Sequence, residues 1–478
     1  MSSLVPRKLL LVSPLLGCLG LACGEGDSDS RGAGASASAS ASISGGGVLT
    51  LPVTDSGGSG GSSEGSGTAG VSATTGTSAT SQSGSGSETT STGGPGGPKF
   101  DLGAVPDGGA CQPGGAVDES YIWIPGTGDG TVAKINTRTL VQEATYLIGP
   151  SGGTESASRT AVSADGRFVV VNSRGTGRST AVAANIADCK DSNGDGMITT
   201  STSQGDIKPW GQDECVVWTL TYNNWSGGHQ KGPRGITWTF GTWNQPTCSF
   251  VNPKVWLGYG AGGGVADFVR LDGITGAIEE IIPAPNWDGS GFAPYGGALD
   301  PQGRPWFTGL RGELTRVNTD QNPITLTRIP QPGNIQSYGM TVDPDGNPWM
   351  AGCSGPVSVY DLNQQTWVSV PGTSACHRGM AIDQDYHVWV ASNGPCGLVE
   401  IDGKTRQLIA MHNLAQCSTP IGVSVDVDGF VWLVDQAGWA WKIDTQNVPA
   451  MQMISVPGDH YVYSDMTGGQ LKSVFVPG

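Results

Sequence analysis

Four stretches in the second half of the chain share one frame: "GGALDPQGRPWF" (296–307), "GMTVDPDGNPWM" (339–350), "GMAIDQDYHVWV" (379–390) and "GVSVDVDGFVWL" (422–433). Their aspartates, Asp300, Asp343, Asp383 and Asp426, lie 43, 40 and 43 residues apart. Each precedes a tryptophan by six positions: Trp306, Trp349, Trp389 and Trp432. A strand, a polar turn and a second strand recurring at such a period is the signature of propeller blades, since one unit cannot bury its faces without neighbours.

Each unit continues alike. After the Trp strand come a short loop, a third strand ("SVYDLN", "LVEIDG", "AWKIDT"), a turn and a last strand ("TWVSVP", "QLIAMH", "MQMISV"), giving four short antiparallel strands per blade. Upstream copies are weaker. "RTAVSADGRFVVV" (159–171) has Val169 where the others have Trp, and "RGITWTF…KVWLGYG" (234–260) keeps Trp256 around an insertion. The first unit (120–148) lacks an inner strand, and a leftover strand-pair start, "VYSDMTGGQLKSVFV" (462–476), follows the last. If the second completes the first, the two chain ends close the ring and leave no open edge. The expectation is an all-β, seven-bladed propeller over residues 111–478; six or eight blades would follow from another division of 150–290. Because the tryptophans recur in every clear unit, packing between strands explains them better than sugar stacking does.

The frame resembles the virginiamycin B lyase-like and NHL-like propellers, whose blades carry G-(I/V)-x-(V/L)-D-x-x-G-x-(L/I/V)-W-(F/V). The resemblance runs from about Ser120 to the C-terminus and implies the fold; one fold hosts many functions. The lyase reaction, as the resemblance implies, uses magnesium with Glu and His in an E-x-H arrangement. No E-x-H occurs among His229, His377, His387, His412 and His460, so the lyase's catalytic residues have no counterparts here. No G-x-S-x-G, H-E-x-x-H or P-loop is present either.

The N-terminal part has another character. "MSSLVPRKLLLVSPLLGCLGLACGEG" places Arg7 and Lys8 before an apolar run too short to span a bilayer. It resembles a bacterial lipoprotein signal (1–23) with Cys23 acylated. Cys18 is the alternative, and an ordinary cleaved signal peptide is the plainer reading. By the same resemblance, the absence of Asp after Cys23 implies the outer membrane of a Gram-negative cell, or its surface. Residues 24–110 are rich in Ser, Gly and Thr with almost no large apolar side chains, so they cannot bury a core and read as a disordered tether. Such a coil would separate its ends by roughly 45–50 Å. A formal charge of −16 with no basic cluster argues against nucleic acid.

Beyond the two signal cysteines, eight remain, an even number suited to disulfides in an exported chain. Cys353–Cys376 and Cys396–Cys417 each join the loop after a Trp strand to the loop before the next inner strand, two loops on the same face of a blade. Cys189–Cys215 would staple an insertion, leaving Cys111 with Cys248.

That insertion, about 185–230, contains "DSNGDGMITTSTSQGD". Asp191, Asn193, Asp195, the Met197 carbonyl and Thr199 occupy positions 1, 3, 5, 7 and 9 of a calcium loop, with Gly196 at the turn position. Position 12 is Thr202, so Asp206, Asp213 or Glu214 would have to complete the shell. The pattern resembles dockerin-type loops. Calcium as a structural clip is the expectation, and an Asx-rich turn without metal the alternative.

A ligand has one evident place. The residues preceding the inner-strand glycines, with their counterparts, are Arg159, Arg234, Tyr295, Tyr338, Arg378, Ile421 and Tyr463. At a channel mouth these arginines and tyrosines suit an anionic or polar ligand, or else fill the funnel by packing together. The reading is a monomeric, lipid-anchored binding module for a protein, peptide or glycan at the envelope. A divalent-metal-dependent lyase or hydrolase acting at the mouth is the alternative.

Overall fold

The computed structural model describes residues 120–244 and 249–474. The lipoprotein signal with Cys23, the tether, Cys111 and Cys248 lie outside the described residues.

The repeat frame becomes structure through one hydrogen bond. In each clear unit the aspartate ends the inner strand, and one of its carboxylate oxygens accepts the indole N–H six residues on. The distances are 3.1 Å for Trp306–Asp300, 3.0 Å for Trp349–Asp343, 2.7 Å for Trp389–Asp383 and 2.9 Å for Trp432–Asp426. The other oxygen accepts backbone N–H groups of the intervening turn, as Asp343 does from the N–H groups of Asp345 and Asn347. The spacing of six is therefore the length of a turn that brings carboxylate and indole together. All four indoles are fully buried. Burial raises the carboxyls of Asp343, Asp383 and Asp426, against the pull of these donors.

Seven blades surround the axis. Six have four antiparallel strands in simple order, with inner strands Ala157–Val162, Ile236–Trp238, Gly296–Leu299, Gly339–Val342, His377–Ile382 and Pro420–Val425. A hairpin, Thr242–Asn244 with Ser249–Val251, interrupts the third blade between its inner strand and Lys254–Gly262. The first blade contributes Tyr121–Gly126, Thr131–Asn136 and Gln142–Leu147. Its inner position is filled by the C-terminal stretch: Trp123 N–H donates to the Met466 carbonyl (2.9 Å) and Thr127 N–H to that of Asp459 (2.7 Å). Ser464 and Asp465 hold the second blade through Thr160, and Met466 N–H reaches Ser424 of the seventh. The two chain ends close the ring.

Inner strands approach closely around the axis, which explains the repeated glycine. A Cβ on Gly339 would stand 2.3 Å from the Arg378 carbonyl oxygen, and one on Gly379 2.4 Å from that of Ile421.

One expectation is corrected beyond Met466, where a second strand was anticipated. Asp465 accepts N–H bonds from Thr467 and Gly468, Gly468 takes φ +82°, and the chain turns into a short helix, α1 (Gly469–Val474). Helix α1 runs beneath the inner strands of blades four to seven with Leu471 buried, so it floors the channel instead of extending a sheet.

Candidate functional site

The starts of the inner strands define the end of the channel opposite α1. There Arg159, Arg234, Tyr295 and Tyr463 are buried, whereas Tyr338 and Arg378 remain partly exposed. The expected concave mouth is thus filled at depth. The physical reason is the C-terminal stretch, which carries Tyr463 and also Tyr461 into the channel between blades seven and two. The Arg159 guanidinium lies 4.2 Å from the Tyr463 ring, 4.9 Å from Tyr295 and 5.6 Å from Tyr461. Arg378 donates to the Tyr463 hydroxyl at 2.8 Å and lies 5.4 Å from the Tyr338 ring. Arg234 lies 5.2 Å from Tyr295, and Arg174 lies 4.0 Å from Tyr461. The tyrosines meet edge to face, Tyr295–Tyr338 at 5.6 Å, Tyr338–Tyr463 at 5.4 Å and Tyr461–Tyr463 at 4.7 Å.

This packing leaves a concentration of positive charge. Burial, then the neighbouring Arg174, lower the Arg234 guanidinium from its ordinary value. Burial opposes ionising Tyr461, but Arg174, Arg234 and Arg159, with the Tyr295 hydroxyl bonded to its own, outweigh burial and bring that phenol below its ordinary value. Tyr295 and Tyr463 go the other way, raised by burial. Cation–ring contacts contribute about 0.5–2 kcal/mol each when desolvated, against a penalty of several kcal/mol for burying an ion.

Sequence reasoning missed Tyr461 and Arg174. Tyr461 is two residues from Tyr463, so in an extended segment it points to the same side; that signal was available. Arg174 follows the second strand of its blade, outside the frame that picked the other arginines. His377, although beside Arg378, turns into the blade, where it is fully buried and bonded through Nε2 to the Thr373 carbonyl. Burial lowers its pKa and favours the neutral ring.

The insertion of blade two is held by the Cys189–Cys215 disulfide. Its loop curls through side-chain oxygens that accept backbone N–H groups: Asp191 from Gly194 and Gly196, Asn193 from Asp195, and Asp195 from Met197. Glu214 folds back, one oxygen accepting Ser192 and Asn193 N–H and the other Thr199 N–H. These bonds, that from Thr199 foremost, hold the Glu214 carboxyl below its ordinary value. Asp206 instead accepts from Thr202 and pairs with Lys208 at 2.8 Å. Among the described residues, the one cluster of three His, Cys or carboxylate groups with ligand atoms within 4.8 Å is Cys396, Cys417 and Asp435. Its two sulfurs form a disulfide with each other, so it is no metal centre. Cys353–Cys376 is also bonded, and both bridges join the loops anticipated from the repeat.

No family model matches the chain, and no curated protein does. Solved structures similar in fold include a streptogramin B lyase, 18% identical over 48% of this chain and 70% of that one, TM-score 0.38. A catalytically inactive virginiamycin B lyase from Staphylococcus aureus with quinupristin is 16% identical, covering 63% of this chain and 84% of its own, TM-score 0.43. Apo AztD from Citrobacter koseri is 11% identical, covering 72% and 97%, TM-score 0.48.

Proposed function

We propose that the chain is an exported, lipid-anchored binding module of the cell envelope, with its recognition site at the open end of the propeller channel. The observation that supports this reading is the convergence there of arginine and tyrosine side chains from separate blades, with Tyr338 and Arg378 still reachable from solvent. A rigid ring presenting polar groups at one end suits recognition of a protein, peptide or glycan partner. Acylation at Cys23 would hold the propeller to the outer membrane through a long tether. The 191–206 loop would take calcium as a structural clip, with Asp191, Asn193 and Asp195 as side-chain donors.

The test uses the full chain in detergent, mixed with envelope extract in calcium or in chelator. A saturable partner retained by the wild type and lost on Arg378→Ala, with Tm unchanged, supports the reading. No saturable partner, or one retained equally by the variant, overturns it. In parallel, Cys23→Ser should release the chain from the membrane fraction; a variant still sedimenting with membranes would remove the lipid anchor.

A further inference from the structure

Arg159 is the buried cation whose surroundings point most directly to a ligand. Its side chain is 1% exposed, and its contact within hydrogen-bond reach is a long one, from Nη1 to Ser158 Oγ at 3.4 Å. Its Nε and Nη2 have no hydrogen-bond partner. These two nitrogens form one edge of the guanidinium, where parallel N–H groups receive the two oxygens of a carboxylate or phosphate in a fork. Aromatic rings cover the guanidinium but accept none of those N–H bonds in the plane of the group. Arg378, nearer the solvent, also has its Nε unsatisfied while Nη1 holds Tyr463.

From this geometry we infer that the channel recognises a small anionic group with two available oxygens, a carboxylate or a phosphate, docked on the Nε/Nη2 edge of Arg159 past Tyr338 and Arg378. The inference rests on the binding-module reading above and names the chemistry of its ligand. Depth restricts the ligand's form. A group reaching Arg159 must be a small molecule or the tip of a chain, because a broad macromolecular face would stop at the rim. The tyrosine rings packed around Arg159 suit an apolar or aromatic body behind the anion.

A competing arrangement would balance the charge internally, with Tyr461 ionised among the arginines and no anion required. The two differ in what they bind and in what they absorb.

The experiment is calorimetric titration of the full chain in detergent with acetate, inorganic phosphate and acetamide, the last a neutral counterpart of acetate. Saturable binding of acetate or phosphate without acetamide binding is expected, and whichever binds more tightly separates a carboxylate from a phosphate source. Arg159→Lys keeps the charge but loses the fork, and should weaken the preferred anion by at least about tenfold. Arg378→Gln, at a partly exposed position less buried than Arg159, should fold like the wild type and weaken binding by roughly threefold to tenfold; it keeps the test decisive if changes at Arg159 prevent folding. Absence of saturable binding by both anions overturns the inference. So does a tyrosinate absorbance band at neutral pH that disappears in Tyr461→Phe, since the charge is then balanced from within. If an envelope partner is captured through Arg378 while neither small anion binds, the module reading survives and the anionic class falls. If an anion binds and no partner is captured, the anionic class stands and the module reading falls.

Discussion

Replacing Asp343 by Ala tests whether the six-residue couple of aspartate and tryptophan holds a blade together. In blade five the Asp343 carboxylate accepts from Trp349 Nε1 (3.0 Å), Asn347 N–H (2.8 Å), Asp345 N–H (3.1 Å) and Asn347 Nδ2 (3.1 Å). Removing it strands the indole and the Asn347 amide in a buried place, each at about 1–3 kcal/mol. Burial already disfavours the carboxylate, as its raised pKa records, and this offsets part of the loss. A net cost near 3 kcal/mol is expected. With about 2 cal/mol/K of unfolding entropy per residue over roughly 350 residues, that lowers Tm by about 4 °C. Trp349→Phe removes the N–H together with part of the buried ring; the lost packing is common to both arms of a double-mutant cycle, which in urea should return a coupling of about 1.5–2 kcal/mol. The pH dependence has a definite sign. A carboxyl raised in the folded chain contributes stability that is full below the ordinary carboxylate range and is lost as pH rises through the folded value. The gap between wild type and Asp343→Ala should therefore be widest in acid and narrower at neutral pH. A coupling indistinguishable from zero, or a Tm change no larger than for the exposed Asp320→Ala, would refute the account.

Burial pushes the Asp465 carboxyl up to about 6, so the wild type should lose up to about 3 kcal/mol as pH rises from the unfolded carboxylate range through that value. Asp465→Asn keeps an acceptor for Thr467 and Gly468, and its denaturation midpoints should be flat over the same interval. The Cys396→Ser/Cys417→Ser pair opens a crosslink of 21 residues in sequence and should cost about 3 kcal/mol in chemical denaturation, an effect absent when the wild type is reduced first. Asp191→Ala and Asp195→Ala should lower Tm more in calcium than in chelator, where only the loop's own N–H bonds are lost; equal melting of the wild type with and without calcium would remove the ion from the loop.

The blade architecture was legible because propeller geometry imposes itself on sequence at fixed offsets. Asp343 and Trp349 are six apart since a turn of that length closes the hydrogen bond, and Gly339 precedes them because its neighbour's backbone leaves no room for a Cβ. The stretch after Met466 was not legible as helix. Its apolar residues, Leu471 and Val474, fit either a closing strand or one helical turn, and the choice depended on the Asp465 turn and the space beneath blades four to seven. The site was legible as a set of residues but not as a depth. Residue identities place Arg159 and Tyr295 on the channel wall, whereas their burial depends on how far Tyr461 and Tyr463 project from a segment that lies outside the repeat.

The internal repeat separates scaffold from recognition without any second sequence. At the turn, four blades use the same aspartate and tryptophan, and each couple makes the same bond. At the start of the inner strands the residues differ around the ring: Arg159, Arg234, Tyr295, Tyr338, Arg378, Ile421 and Tyr463. A requirement of the fold acts on every blade alike and yields one residue repeated, while a ligand on the axis meets each blade from a different side and asks a different group of each. Packing alone would also be met by seven similar apolar side chains, at far lower electrostatic cost than buried guanidinium groups. The aspartates shared by four blades therefore belong to stability, and the arginines at the strand starts are the groups that the proposed recognition would use. Substitutions of the shared aspartates should change melting and leave binding intact in the molecules that fold, whereas among the strand-start residues the partly exposed Tyr338 and Arg378 are the positions where binding should change with little effect on melting.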